Sequence, residues 1–164
     1  MLDNLSIIKK VIDEHQVIRG HVKLVGDSIA DQEALTALVK TRTDWIPGQP
    51  DIAEKQNKLQ QTISFLEEGL RNHFAFEGNA LPPVLGELLM RALKIEHTEI
   101  SQKIAEAKSI LANTKLEGLS REDLILKQSD IREMVDSICQ IVEEHAGKEE
   151  VILEMLQKAL EEKG

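Results

Sequence analysis

Apolar residues recur at alternating spacings of three and four along almost the whole chain. That spacing follows the turn of an α-helix and not the two-residue alternation of a half-buried strand. Four such segments can be traced. The first is predicted from about Asp3 to about residue 42, with the stripe Ile8, Val11, His15, Ile18, Val22, Val25 and Ile29. The second starts near Asp51, an N-cap candidate with Glu54 three residues on, and carries Leu59, Ile63, Leu66, Leu70, His73 and Glu77. The third follows Pro82 and Pro83 with Met90, Leu93, His97, Ile100, Ile104, Ala107 and Leu111. The fourth begins near Ser120 and carries Ile131, Met134, Ile138, Ile141, His145, Glu149, Ile152 and Leu156.

Turn signals separate the segments: TDWIPGQP at 43–50, GNALPPVLG at 78–86 and NTKLEGLSRED at 113–123. Gly78 is read as helping to end the second helix. Four amphipathic helices with short connections predict an all-α fold, an antiparallel up-down-up-down four-helix bundle, with residues 1–164 as a single domain.

Composition supports that class. Aromatic residues make up only 2% of the chain and Tyr is absent, which disfavours a sandwich or barrel. The net charge of −9 argues against nucleic acid and an anionic membrane surface as partners. A single cysteine, Cys139, fits a reducing compartment, so a cytoplasmic location is expected. The N-terminus has charged residues where a signal peptide needs an apolar run, and no stretch approaches a membrane span.

Each helix carries one histidine in its apolar stripe: His15, His73, His97 and His145. In an antiparallel bundle two residues face each other when they are equidistant from the connecting turn. The midpoints of successive pairs are residues 44, 85 and 121, all inside the turn segments. The four imidazoles are therefore expected at one level. In HFAFE (73–77) and HAGKE (145–149) a glutamate follows its histidine by four positions, on the same helix face, so Glu77 and Glu149 should point inward too. A buried carboxylate is costly unless paired or metal-bound, and neither stripe offers an inward Lys or Arg. A metal centre of His15, His73, Glu77, His97, His145 and Glu149 is predicted.

A structural zinc site needs fewer ligands and usually Cys. Six nitrogen and oxygen donors, two of them carboxylates able to bridge, suggest two metals, with Fe favoured and Mn or Zn compatible. On a pair of six-coordinate irons, four imidazoles, two bridging carboxylates and a bridging oxo or hydroxo group leave open positions for water or a small diatomic molecule. The ferritin-like plan needs Glu three residues before His, and Ile12, Leu70, Lys94 and Val142 stand there.

One His on the first helix, HFAFE on the second, one His on the third and HAGKE on the fourth resemble the hemerythrin-like, or HHE cation-binding, family. The resemblance spans about Ile8 to Leu156. It implies a non-haem di-iron protein with Glu77 and Glu149 as bridging ligands and the four histidines as terminal ligands. It implies binding or sensing of O₂ or NO, or a part in iron and redox handling, without a specific catalytic turnover. An oxidoreductase acting on peroxide or NO, or a regulatory bundle with a structural metal, are the other readings. A homo-oligomer is compatible with all of them. The oxygen-carrying members have a second histidine four residues from the third-helix one; Leu93 and Ser101 flank His97 here. Their fourth-helix carboxylate falls at Glu150, which is ranked below Glu149 as a ligand. The four-His, two-Glu set is closer to the di-iron proteins of iron–sulfur cluster repair, whose N-terminal Cys-bearing segment this sequence does not show.

His21 falls about 240° around the helix from His15 and is read as flanking, with a supporting or replacement role open to it. Phe74 and Phe76 are candidates for shaping the pocket or, equally, for ordinary core packing. Gly147 is read as leaving room for a ligand or a close helix contact.

Overall fold

The computed structural model describes residues 3–41, 50–116 and 118–162. They form five helices and, among the described residues, no strand: α1 (Asn4–Thr41), α2 (Pro50–Ala80), α3 (Pro82–Leu85), α4 (Glu87–Asn113) and α5 (Arg121–Glu162). Trp45 and the Asp51 side chain lie outside the described residues.

Local chemistry sets the helix ends. The Asp3 carboxylate accepts the Ser6 backbone N–H at 2.8 Å, and the Ser120 hydroxyl accepts the Asp123 N–H at 3.2 Å. Each satisfies a first-turn donor that has no partner within its own helix. The end of α2 departs from expectation. The helix runs through Gly78 to Ala80, and Leu81 N still donates to Glu77 O at 2.9 Å. A glycine costs a packed helix only about 1 kcal/mol, too little to end it. Pro82 and Pro83 have no N–H to offer, and there the rod breaks. The single turn of α3 follows, and Gly86, at a φ of 84° that favours glycine, redirects the chain into α4.

Helix α1 packs against α2 and α5, and α4 packs against the same two, with α3 in the corner between α2 and α4. This arrangement is compatible with a four-helix bundle. All seven residues of the predicted α4 stripe are buried, as are all six of α2. On α1 only Val22 is half-buried. The α5 stripe is displaced: Val135, Val142 and Leu153 are buried, whereas Met134, Ile141, Ile152 and Leu156 are half-buried. The inward face of α5 is thus centred about one residue later than the stripe.

The apolar core is in two pieces. One cluster includes Ile18, Leu70, Ile100 and Val142; the other includes Val11, Leu81, Leu93 and Leu153. On every long helix the histidine and, where present, its glutamate fall between a residue of one cluster and a residue of the other. A second polar layer lies deeper in the larger cluster. Gln32 Nε2 donates to Gln56 Oε1 at 2.7 Å, and Gln128 Nε2 donates to Gln32 Oε1 at 3.3 Å. Thr36 Oγ1 donates to Gln128 Oε1 at 3.2 Å, and Gln56 Nε2 to Leu111 O at 3.2 Å. Among the described residues no helix is long and apolar enough to cross a membrane.

Leu66 is fully buried, whereas its neighbour Phe65 is 53% exposed. Leu66→Ala is expected to lower the unfolding free energy by about 2–5 kcal/mol, and Phe65→Ala by no more than about 0.5 kcal/mol, measured by urea denaturation.

Candidate metal centre

The four core histidines and two glutamates converge between the two apolar clusters. Their donor atoms form two overlapping groups, His15–His73–Glu77–Glu149 and Glu77–His97–His145–Glu149, with all donors of a group within 4.8 Å of one another. Every member is buried. The two carboxylates belong to both groups.

Each carboxylate divides its oxygens between the groups. Glu149 Oε1 lies 3.2 Å from His15 Nε2, and its Oε2 lies 3.1 Å from His145 Nε2. Glu77 Oε1 contacts His73 Nε2, and its Oε2 lies 3.9 Å from His97 Nε2. The imidazoles pair in the same way. His15 and His73 have ring centroids 4.9 Å apart, and His97 and His145 repeat that distance. The helical four-residue spacing sets each Glu one turn from its own His, and the neighbouring helices supply the other members.

A second circle of carboxylates lies behind the histidines. His15 Nδ1 is 3.0 Å from Glu150 Oε1, His73 Nδ1 is 2.8 Å from Glu14 Oε1, and His145 Nδ1 is 2.8 Å from Glu96 Oε1. An Nδ1–H donating outward leaves the Nε2 lone pair facing inward, the tautomer a metal requires. Cations hold two of these acids in turn. Arg19 donates to both oxygens of Glu150, at 2.6 and 2.9 Å, and to Glu143. Lys148 donates to Glu96 at 3.1 Å. His97 differs: its ring stacks on Phe74, with centroids 3.8 Å apart and planes 8° from parallel.

The donor set is left short of partners by the protein alone. His73 Nε2, His97 Nε2, His145 Nε2, both oxygens of Glu77 and Glu149 Oε2 are buried without a hydrogen bond. Buried polar atoms are rarely orphaned, and six in one place fit a site whose remaining partners are cations. Electrostatics agree. Burial pushes the Glu77 carboxyl up to about 10, and the adjacent Glu149 adds to it. Burial also opposes ionisation of Glu149, but the close His145 and His15 imidazoles outweigh it and hold that carboxyl low. Burial brings His97 down to about 4, with His145 contributing. At His145 burial acts in the same sense, but the adjacent Glu149 and Glu96 carboxylates prevail and raise it. Without a cation, then, the pair of carboxylates keeps a proton on Glu77.

All six predicted site residues are thus brought together. Glu150 lies outside both groups, behind His15. The reading of the sequence overlooked Glu14, Glu96 and Arg19. The signal was adjacency: Glu14 directly precedes His15 and Glu96 directly precedes His97, and each serves the histidine of a neighbouring helix. His21 is in neither group. Its ring lies against α2, where a Cβ on Gly69 would come within 3.2 Å of it. Phe74 borders the site, whereas Phe76 packs in the smaller apolar cluster under Lys10. A Cβ on Gly147 would meet nothing within 4 Å, so that glycine permits no close contact. No protein-family model, curated protein or solved structure matches the chain.

The Glu77 value of about 10 stands above the 4.5 of the unfolded chain. Its contribution to stability is therefore complete below the unfolded value and is lost as pH rises towards the folded one. Chelator-stripped protein is expected to unfold at lower urea at about pH 9 than at about pH 6, and Glu77→Gln to flatten that dependence. Equal midpoints in the wild-type protein at both pH values contradict the assignment.

Proposed function

We propose that this chain is a hemerythrin-like metal protein: an up-down-up-down four-helix bundle holding a non-haem di-iron centre that binds or senses a small diatomic molecule such as O₂ or NO. His15, His73, His97 and His145 would be the terminal ligands, and Glu77 and Glu149 the bridges. The observation that carries the reading is the division of each carboxylate's oxygens between two imidazole pairs. A structural zinc site has no use for two shared carboxylates.

The topology draws support from the pairings across the core. On α1 and α2, Glu14 meets His73 and Gln32 meets Gln56; on α1 and α5, Arg19 meets Glu143 and Thr36 meets Gln128. As one helix advances its neighbour recedes, which is the signature of antiparallel rods. The lone thiol of Cys139 favours the cytoplasm.

The protein supplies three things to such a centre. The outer carboxylates orient three imidazoles and raise their basicity as donors. The apolar clusters on either side exclude water and lower the local dielectric. The four separate helices hold the donors in place before any ion arrives, which lessens the entropy lost on binding. A di-iron pair held by this donor set would supply reversible binding of small molecules and one-electron exchange.

Protein purified without oxygen is expected to contain two irons per chain, with near-ultraviolet absorption that changes on adding O₂ or NO. Glu96→Gln should weaken metal binding by about 10–100-fold, read by competition with a chelator. Native protein holding no transition metal, or zinc with a spectrum indifferent to both gases, overturns the proposal. Sustained consumption of peroxide or NO with a reductant would establish the oxidoreductase reading instead.

A further inference from the structure

Two surface grooves reach ligand histidines, and they differ in every property that governs access. The groove between α4 and α5 has a volume of about 210 Å³ and is bordered by Glu96, Glu99, Glu144 and Lys148. It ends on His145, whose Nδ1 is occupied by Glu96 at 2.8 Å. The groove between α2 and α4 is about 480 Å³ and ends on Phe74 and His97, with Arg71 and Ser101 on its sides. His97 is the most exposed of the six donors: its side chain is 10% accessible, against 5% for His145. Among the described residues nothing hydrogen-bonds its Nδ1, so the Phe74 ring alone steadies it from outside. The charges also differ. The α2–α4 groove is lined by one charge of each sign, Glu67 and Arg71, and Glu67 is bonded to Arg71 and, beyond the lining, to Lys108, so its one acid is fully paired. The α4–α5 groove is acidic.

We propose that the α2–α4 groove is the entrance by which small anionic or neutral molecules reach the centre, and that the stacked Phe74–His97 pair gates it. An imidazole held by an outer carboxylate resists displacement; His97 lacks that restraint and sits where an incoming molecule arrives. A groove whose only acid is paired repels anions less than the acidic groove, which would attract metal cations instead. Sliding of two flat rings past each other opens the path without breaking a hydrogen bond.

The inference rests on the metal reading, and metal content measured on every sample separates the two. The probe is azide added to metal-loaded protein, with association followed by stopped-flow absorption. Ser101→Trp, a substitution at an exposed position, should fill the groove and slow association by about tenfold or more with metal per chain unchanged. Arg71→Glu should slow it several-fold at low ionic strength, an effect that fades in high salt. A second readout needs no metal. In stripped protein, diethyl pyrocarbonate should modify His97 faster than His15, His73 or His145, and Ser101→Trp should suppress that difference. Azide association unaltered by Ser101→Trp in fully loaded protein overturns the entrance, as does His97 reacting no faster than the other three. Wild-type protein without metal overturns the centre, and the chemical modification then decides whether the groove still reaches His97.

Discussion

Two carboxylates stand in the middle of an apolar core, and the rest of the structure is organised around that cost. An unpaired buried carboxylate is unfavourable by several kcal/mol even after the protein relaxes. Glu77 and Glu149 face each other at zero exposure, so each worsens the position of the other. Only a proton or a cation relieves them, and four imidazoles are arranged to share the work. The same constraint explains why the core divides into two clusters. A level occupied by six polar side chains cannot also be packed with leucine and isoleucine.

The cost is spread outward in stages. The inner carboxylates are answered by histidines, three of the histidines by outer carboxylates, and two of those by Arg19 and Lys148. The outer links, from histidine to carboxylate and from carboxylate to Arg19 or Lys148, each join one helix to another, so the network fastens the helices as well as tuning the donors. Exposure rises along each chain, from the sealed Glu149 to Lys148 at 64% side-chain exposure. Charge is thereby led outward from the interior towards water, except at His97, where an aromatic ring stands in place of an acid.

Much of this was legible in the sequence because helical periodicity and hydrophobic burial are both local signals. The α4 stripe matches the buried face residue for residue and every residue of the α2 stripe is buried, and the common depth of the histidines followed from their distances to the turns. What escaped depended on more than one helix at once. The α5 face could not be centred from periodicity alone, because Met134 and Val135, and Ile141 and Val142, are adjacent apolar residues either of which can turn inward. Gly78 looked like a helix end because its propensity is poor, but packing carried the helix on to the prolines. Glu14, Glu96 and Arg19 looked like ordinary solvated charges, since the histidine each supports, or supports through Glu150, is on a different helix. The glutamine layer was invisible for the same reason: an isolated Gln gives no hint that it will be buried against two others.

That glutamine layer fixes the long axis of the molecule. Gln32, Gln56 and Gln128 stand seventeen residues from His15, His73 and His145 on their respective helices, and Thr114, whose carbonyl accepts from Gln56 Nε2 at 3.4 Å, stands seventeen from His97. At about 1.5 Å per residue, the two levels are separated by the same ~25 Å on every rod. A pair of rungs at equal height on all four uprights allows no rod to slip by a turn, since sliding would strand amides at one level and imidazoles at the other. Evolution is then free to lengthen the far ends of the helices, but the stretch between the rungs can change only in step, on all four at once.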